Sequence, residues 1–313
     1  MPRVVVTEFM DAPAVASLRL RHDVVYDPTL VDRHDALRAA VADADALVVR
    51  NRTRVDAPLI AAAPRLAVVG RLGVGLDNID VAACGKRGIA VIPATGANAL
   101  AVAEYVVGTA MMLLRGAHGA SADVAAGRWP RERLSEGREI RGKTLGLVGF
   151  GGIGRLTADL ARALGMVLVA HDPAIDPNAV LWNDFGTQPL ALDELFAVAD
   201  VVSLHVPLVD STRNLVDARR LALMKPHAIL INTARGGIVD EAALAVALHA
   251  GRLGGAALDV FAREPLAAGS PLADAPNVLL TPHVAGVTAE SNARVSAMIA
   301  ERVEQALQAR RQG

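Results

Sequence analysis

Short, unbroken runs of Val, Ile, Leu and Ala alternate with segments of helical pattern, and this alternation is the feature that most constrains the fold. About the first hundred residues contain the runs RVVV, HDVVY, ALVVR, LAVVG and IAVIP. A second series consists of TLGLVG, MVLVAH, ADVVSLH, AILINT, GAALDVF and NVLLTP. Such runs are typical of strands in a parallel sheet that helices cover on both faces. The sequence therefore predicts an α/β chain with two doubly wound sheets, the second of six strands.

The length of the chain and its charge limit what it can be. At 313 residues it exceeds the usual size of a single core, so we expect two Rossmann-like domains with a cleft between them. The formal net charge of -1 offers no basic surplus, so we expect neither nucleic acid nor a membrane surface as a partner. The longest apolar stretch, Ala99 to Leu114, is too short to span a bilayer and predicts a buried helix.

Cysteine use and the N-terminal sequence bear on the compartment. Cys84 is the single cysteine, which excludes an intramolecular disulfide and a cysteine-based zinc site. The N-terminus carries only a brief VVV run before Glu8, unlike the longer apolar region of a signal peptide. We therefore predict a cytoplasmic protein without a metal site.

A glycine-rich segment indicates a dinucleotide site. Residues Gly149-Phe150-Gly151-Gly152-Ile153-Gly154 fit G-x-G-x-x-G, between a predicted strand and a predicted helix. Glycines at this spacing allow a tight turn, a close approach of a pyrophosphate to backbone N–H groups, and close packing of helix on strand. The alternative is a glycine-rich turn that binds no ligand.

An acidic residue follows at the expected distance. Asp172 ends the next strand, 172 − 154 = 18 residues past the third glycine, where its carboxylate can accept hydrogen bonds from ribose hydroxyls. Its charge would repel the additional phosphate of NADP, so NAD is the predicted cofactor. A turn aspartate preceding Pro173 is the alternative.

Three chemically distinct residues follow three of the apolar runs. Arg235, Glu264 and His283 come after AILINT, GAALDVF and NVLLTP, and the carboxyl ends of parallel strands lie at one edge of a sheet. A guanidinium can hold a carboxylate, an imidazole can exchange a proton near neutral pH, and an acid can orient that imidazole. Taken singly, they could be a surface arginine, a turn acid and a loop histidine. Together they predict catalysis of hydride transfer to a 2-oxo acid.

The chain resembles the D-isomer-specific 2-hydroxyacid dehydrogenases along essentially its whole length. The matching segments are VGFGGIGR, HVPL, NTARGGIVDE, ALDVFAREP and TPHVAG. The resemblance implies that Arg235 binds the substrate, that Glu264 pairs with the catalytic histidine, and that His283 is the general acid and base. Further residues implied to contact NAD are His205, Val206, Pro207, Thr212, Thr233, Ala234, Asp259 and Gly286. For Asp259, a buried structural role is the alternative.

The resemblance also implies a domain arrangement and an assembly. A flavodoxin-like substrate domain would consist of residues 1–98 and 287–313, and the NAD domain of residues 99–286. Members of the family commonly close the two domains over the substrate and form dimers through the NAD domain. We therefore expect a homodimer.

Two loops of the first domain bear on the substrate. In the family, the loop Leu72-Gly73-Val74-Gly75 binds the substrate carboxylate, and Asn98 would be a further pocket residue. Arg50 and Arg52 alternate at another strand end and could form a second positive site, unless they are part of a solvated basic loop.

These segments are most similar to the phosphoglycerate and sulfolactate dehydrogenase branches. We therefore rank a small 2-hydroxy acid with a phosphate or sulfonate tail first, and reduction of glyoxylate or hydroxypyruvate second. The regulatory domains that many phosphoglycerate dehydrogenases append are not expected. Glu264 argues against a formate dehydrogenase, which has glutamine there, and a non-catalytic NAD-sensing co-regulator is the alternative from another class.

Overall fold

The computed structural model describes residues 1–312, with only the backbone of the last two, and Gly313 of the predicted substrate domain lies outside the described residues. The chain divides into two compact units. Unit 1 consists of Met1–Asn98 and the C-terminal segment from Val287, and unit 2 of Ala99–Gly286. Among residues 1–312, no helix combines the length and the apolar character needed to cross a membrane.

Unit 1 is built on a five-stranded parallel sheet in the order β2-β1-β3-β4-β5. Its strands are β1 (Arg3–Val6), β2 (Asp23–Tyr26), β3 (Ala46–Val49), β4 (Val68–Arg71) and β5 (Ala90–Pro93). Its helices are α1 (Ala12–Arg19), α2 (His34–Val41), α3 (Ala57–Ala62), α4 (Val81–Lys86) and the C-terminal α13 (Ala289–Gln312). All five predicted strands are confirmed.

The C-terminal helix α13 packs on the sheet of unit 1. Val295, Ile299 and Val303 of α13 are buried in the same core cluster as Val4 and Val68 of the sheet. A Cβ at Gly70 of β4 would lie 2.8 Å from the side chains of both Ile299 and Val303, so this glycine lets the helix approach. The first and last segments of the chain therefore share one core.

Unit 2 contains a seven-stranded parallel sheet in the order β12-β11-β10-β9-β6-β7-β8. Its strands are β6 (Thr144–Val148), β7 (Val167–His171), β8 (Thr187–Pro189), β9 (Val201–Leu204), β10 (Ile229–Asn232), β11 (Gly255–Leu258) and β12 (Val278–Leu280). The prediction of six strands is wrong by one. The additional strand, β8, lies at the edge, and its three residues, one of them a proline, lack a strand signal in the sequence.

The helices of unit 2 cover both faces of its sheet. They are α5 (Ala99–Arg115), α6 (Ala120–Ala125), α7 (Arg131–Leu134), α8 (Gly152–Ala163), α9 (Leu181–Asp184), α10 (Leu192–Val198), α11 (Ala218–Leu223) and α12 (Glu241–His249). The predicted buried helix is α5, whose apolar face packs in one core cluster with α8 and the sheet. The α/β class with two parallel sheets is thereby confirmed.

Candidate active site

His283 and Glu264 are in direct contact beyond the carboxyl ends of β12 and β11. Nδ1 of His283 lies 2.9 Å from Oε2 of Glu264. The other carboxylate oxygen of Glu264 accepts the N–H of Phe261 at 3.1 Å, which fixes the acid on its own turn. Because Nδ1 is engaged, Nε2 is the ring nitrogen left for exchanging a proton with a substrate.

The backbone of His283 is held in an uncommon conformation. Its φ is +56°, in the left-handed region that a non-glycine residue adopts only where its surroundings enforce it. The N–H of His283 donates to the carbonyl oxygen of Asp259 at 2.8 Å. The buried carboxylate of Asp259 accepts the N–H groups of Val284 and Ala285, each at 2.8 Å, and the hydroxyl of Thr281 at 2.6 Å.

Through these hydrogen bonds, Asp259 holds the loop that contains His283 in place. They agree with the buried structural role that the sequence left as its alternative. A contact between Asp259 and NAD stays a prediction.

Arg235 lies in a turn that follows β10. The buried side chain of Asn232 accepts the N–H of Ala234 at 3.0 Å and donates to the carbonyl oxygen of Arg235 at 2.9 Å. One guanidinium nitrogen of Arg235 donates to the carbonyl oxygen of Ala234 at 2.6 Å. These hydrogen bonds hold the turn in place, and it carries a half-buried cation.

The glycine loop has room for a ligand at two positions. A Cβ on Gly149, whose φ is +95°, would lie 2.4 Å from the carbonyl oxygen of His205, and one on Gly154 would lie 2.4 Å from that of Gly149. These two glycines are explained by packing within the protein. A Cβ on Gly151 or Gly152 would meet nothing within 4 Å, so a pyrophosphate can approach the backbone there.

Asp172 follows β7 and lies against the glycine loop. Its carboxylate accepts the N–H of Phe150 at 2.8 Å and that of Ala174 at 3.0 Å. The loop and the acid are thus held together, as a site for a phosphate and an adjacent ribose requires.

The remaining predicted cofactor residues lie after β9 and β10 or at the end of unit 2. Nε2 of His205 lies 3.0 Å from the hydroxyl of Ser203, and burial lowers the pKa of His205 to about 4. The hydroxyl of Thr212 donates to the carbonyl oxygen of Pro207 at 2.6 Å and accepts the N–H of Val209 at 2.8 Å. His205 is therefore neutral at pH 7, and Thr212 fixes the loop that contains Val206 and Pro207.

The side chain of Thr233 bears on whether unit 2 fits a cofactor. Its hydroxyl oxygen is buried and has no hydrogen-bond partner among the described residues. A buried polar atom without a partner is costly, so a ligand that hydrogen-bonds to it would relieve that cost. Together with the open glycines, this atom shows that the residues present fit a dinucleotide.

In the loop of unit 1 that is predicted to bind the substrate carboxylate, some backbone N–H groups already form hydrogen bonds within the protein. The N–H of Leu72 donates to the carbonyl oxygen of Val49, and that of Gly73 to the carbonyl oxygen of Arg71, both at 2.8 Å. In the described part of the chain, Val74 and Gly75 are the predicted loop residues whose N–H groups remain for a ligand. Oδ1 of the other predicted pocket residue, Asn98, is buried without a partner within residues 1–312.

The structure separates the two candidate arginines of unit 1. Arg52 is exposed and forms an ion pair with Asp32. Arg50 is half-buried, donates to the side-chain oxygen of Asn292 and lies over the ring of Phe9, 5.8 Å from its centroid. Arg50 is therefore the better-positioned cation, and the sequence pattern could not distinguish the two.

A buried acid that the sequence analysis missed organises this turn. The carboxylate of Glu8 accepts the N–H groups of Arg50 at 2.8 Å, Thr53 at 3.0 Å and Arg52 at 3.1 Å. The signal was available, since Glu8 follows the apolar run RVVV almost directly. Asn232 and Thr281 were also missed, although each is a polar residue at the carboxyl end of a predicted strand.

Comparison with known proteins decides the family. A family model described as "D-isomer specific 2-hydroxyacid dehydrogenase, NAD binding domain" matches residues 107–285. The chain belongs to the D-isomer-specific 2-hydroxyacid dehydrogenase family. The predictions of this family, of an oxidoreductase and of NAD as the cofactor are confirmed.

Two relatives illustrate how the chain compares with other D-2-hydroxyacid dehydrogenases. It is 52% identical to an (S)-sulfolactate dehydrogenase of Chromohalobacter salexigens over 98% of this chain and 99% of that protein. It is 45% identical to a D-3-phosphoglycerate dehydrogenase of Mycobacterium tuberculosis over 87% of this chain. That match covers 51% of the Mycobacterium protein, so this chain corresponds to about half of its length.

Solved structures show the same fold. A glyoxylate reductase from Paecilomyes thermophila matches with a TM-score of 0.84 and 30% identity, covering 97% of this chain and 95% of that one. An NAD-dependent formate dehydrogenase from Staphylococcus aureus in complex with NAD matches with a TM-score of 0.81 and 28% identity, at the same coverage of both chains.

Proposed function

We propose that this NAD-dependent D-2-hydroxyacid dehydrogenase interconverts a 2-hydroxy acid and a 2-oxo acid whose tail carries a second anionic group, a sulfonate or a phosphate. The observation that carries the proposed dehydrogenase chemistry is the contact of 2.9 Å between His283 and Glu264 beyond the strand ends of unit 2. In this proposal, unit 2 supplies the NAD site and the proton-transfer groups. Unit 1 supplies anion-binding groups.

In oxidation and in the reverse reduction, the side chains that follow β10, β11 and β12 have separate roles. The nicotinamide cofactor, when bound, would supply the hydride acceptor for carbon 2 of the hydroxy acid and, in its reduced form, the hydride donor for the oxo acid. Arg235 binds the substrate carboxylate through its guanidinium. His283 takes the hydroxyl proton during oxidation and gives it back to the alkoxide oxygen during reduction. Glu264 orients the imidazole through its contact with Nδ1.

The cofactor groups are assigned from the fit described for unit 2. Backbone N–H groups near Gly151 and Gly152 would bind the pyrophosphate, and Asp172 the ribose hydroxyls. Thr233 would hydrogen-bond to the cofactor through its unpartnered hydroxyl. The loop residues that follow β9 would line the same site.

Recognition of the second anion is assigned to Arg50. Glu8, Asn292 and Phe9 hold its guanidinium and its turn in place, so little conformational entropy is lost when it binds an anion. The N–H groups of Val74 and Gly75 would donate hydrogen bonds to the carboxylate of the substrate. The similarity to proteins named sulfolactate and phosphoglycerate dehydrogenase supports two anionic ends.

Steady-state kinetics with 3-sulfolactate, 3-phosphoglycerate and glycerate test the tail. We expect Arg50→Ala to lower kcat/KM about 100-fold for the two substrates with a charged tail and much less for glycerate. Arg52→Ala is the matched control, and we expect a change of less than about threefold because its ion pair is exposed. Equal losses for all three substrates in Arg50→Ala would refute the tail-binding role.

A wider panel of 2-oxo acids with NADH distinguishes the alternatives. We expect His283→Ala to lose at least about a thousandfold in kcat while its Kd for NADH stays within about threefold. A higher kcat/KM for glyoxylate or hydroxypyruvate than for the tailed acids would favour the reductase alternative. Tight NADH binding by the wild-type protein without turnover of any acid would favour the NAD-sensing co-regulator.

The assembly and the compartment are also proposed. Exposed apolar side chains on unit 2, Met111 and Met112 of α5 and Trp129 after α6, support a homodimer formed through this unit. Sedimentation equilibrium at micromolar concentration tests it, and a monomer would contradict it. A cytoplasmic location is supported by the single cysteine, Cys84, which excludes an intramolecular disulfide, and cell fractionation tests it.

A further inference from the structure

We propose that Tyr105 and Thr281 are positioning residues that hold His283 in place through Asp259. The proposal rests on the catalytic role assigned to His283 above. Tyr105 lies on α5, early in unit 2, whereas Thr281 follows β12, close to the end of the same unit. Their hydroxyl oxygens are 2.6 Å apart, and the Thr281 hydroxyl is also 2.6 Å from Oδ1 of Asp259.

The donor and the acceptor of each of these two hydrogen bonds can be assigned. A threonine hydroxyl has one proton, and the carboxylate of Asp259 can only accept, so Thr281 donates to Asp259. Tyr105 is therefore the donor to Thr281. Burial, and the charge of Asp259, raise the pKa of Tyr105, so its phenol keeps the proton that this arrangement requires.

The end of the chain of contacts is the backbone of the catalytic histidine. Asp259 receives the N–H of His283 on its carbonyl oxygen and those of Val284 and Ala285 on its carboxylate, all at 2.8 Å. These bonds hold the loop in which His283 has a φ of +56°. Without the Thr281 hydroxyl, the buried carboxylate loses a donor and draws its remaining partners into new positions.

A shift of the loop that contains His283 would move the imidazole relative to the substrate. The imidazole of His283 must keep its contact with Glu264 while its other nitrogen faces the substrate oxygen. Misplacing a proton-transfer group by about 1 Å can cost about 100-fold in rate. Neither Tyr105 nor Thr281 needs to touch the substrate to have this effect, so both act through Asp259.

Three variants of purified full-length protein, compared with the wild type, test the proposal. Thr281→Val removes the hydroxyl at nearly constant volume, Thr281→Ser keeps it, and Tyr105→Phe removes only the phenolic oxygen. We expect Thr281→Val to lower kcat roughly 10- to 100-fold and to change the pH dependence of kcat. KM and the Kd for NADH, measured by fluorescence titration, should stay within about twofold.

The other variants separate positioning from packing. Thr281→Ser should restore kcat to within about threefold of the wild type, and Tyr105→Phe should reproduce a weaker form of the Thr281→Val defect. The double variant Tyr105→Phe/Thr281→Val should be no worse than Thr281→Val alone, because Tyr105 acts through the hydroxyl that is already gone. If Thr281→Val does not fold, the kcat and pH profile of Tyr105→Phe decide.

Two results would overturn the proposal. One is a wild-type kcat and pH profile in both Tyr105→Phe and Thr281→Val, and the other is a Thr281→Ser variant as damaged as Thr281→Val. His283→Ala is measured in the same assay. If His283→Ala is inactive while the two hydroxyl deletions have no effect, the positioning role fails and the proposed function stands; if His283→Ala retains wild-type activity, the proposed function itself fails.

Discussion

Gly236 and Phe261 approach so closely that a Cβ on Gly236 would lie 1.8 Å from the carbonyl oxygen of Phe261. This contact joins the turn that carries Arg235 to the turn that carries Glu264. Glu241, the first residue of α12, supports the second turn by accepting the N–H of Ala262 at 2.6 Å. The positions of Arg235 and Glu264 are therefore coupled through contacts between their turns.

Gly236→Ala should damage both the active site and the stability of unit 2. The methyl group cannot fit, so the two turns must separate, and we expect kcat/KM to fall about 100-fold. Overpacking of this kind costs roughly 1–3 kcal/mol in the free energy of unfolding. Steady-state kinetics and urea unfolding measure both effects.

Gly85→Ala is the control for this glycine. Gly85 lies in α4, where a Cβ would meet nothing within 4 Å, and alanine is favoured over glycine in a helix by roughly 0.5–1 kcal/mol. We expect unchanged kinetics and equal or higher stability. Wild-type kcat/KM in Gly236→Ala would mean that the two turns do not need this contact.

The sequence was informative where one local signal determines the structure. Unbroken apolar runs marked the five strands of unit 1 and six of the seven in unit 2, because a doubly covered parallel strand must be apolar on both faces. The same reasoning placed Glu264 and His283 at neighbouring strand ends, where the structure finds them in contact. Residues that are distant in sequence can therefore be predicted to lie close together when they follow neighbouring parallel strands.

Other features depend on partners that are remote in sequence. Two contacts show this. Arg52 forms an ion pair with Asp32, and Tyr105 donates a hydrogen bond to Thr281, but the sequence around these residues does not predict either contact. β8 was missed because its short sequence depends on pairing with β7 at the edge. Prediction from local pattern fails where tertiary contacts decide the structure.

Asp172→Ala should weaken NADH binding and reduce discrimination against NADPH. The variant removes the predicted acceptor for the ribose hydroxyls and the negative charge that would repel an additional phosphate. We expect the Kd for NADH to rise about 10-fold or more and the ratio of the two Kd values to move towards one. Fluorescence titration with each nucleotide measures this directly.

Asp176→Ala serves as the matched control for Asp172. Asp176 is exposed in the same loop and accepts the N–H of Asn178 at 2.8 Å, so its removal deletes an equal charge and a similar backbone hydrogen bond. We expect its nucleotide preference to equal that of the wild type. A preference for NADPH in the wild-type protein, or equal effects of the two substitutions, would contradict the assignment of Asp172.

His205 should make the protein less stable as the pH falls. Burial lowers its pKa from 6.5 to about 4 in the folded state. Between these two values the unfolded chain binds more protons at this histidine than the folded protein does, so the free energy of unfolding decreases with decreasing pH. The full loss is roughly 3 kcal/mol, of which about 2 kcal/mol falls between pH 7 and pH 5.

Variants that cannot titrate at position 205 test this dependence. In His205→Gln and His205→Asn, the decrease in unfolding free energy between pH 7 and pH 5 should be smaller than in the wild type by about 2 kcal/mol. The two variants should agree in this difference even if their absolute stabilities differ, because neither amide takes up a proton. Urea unfolding curves at the two pH values measure it. A wild-type pH dependence in both variants would contradict the prediction. It would show that the pKa of His205 does not differ between the folded and unfolded states.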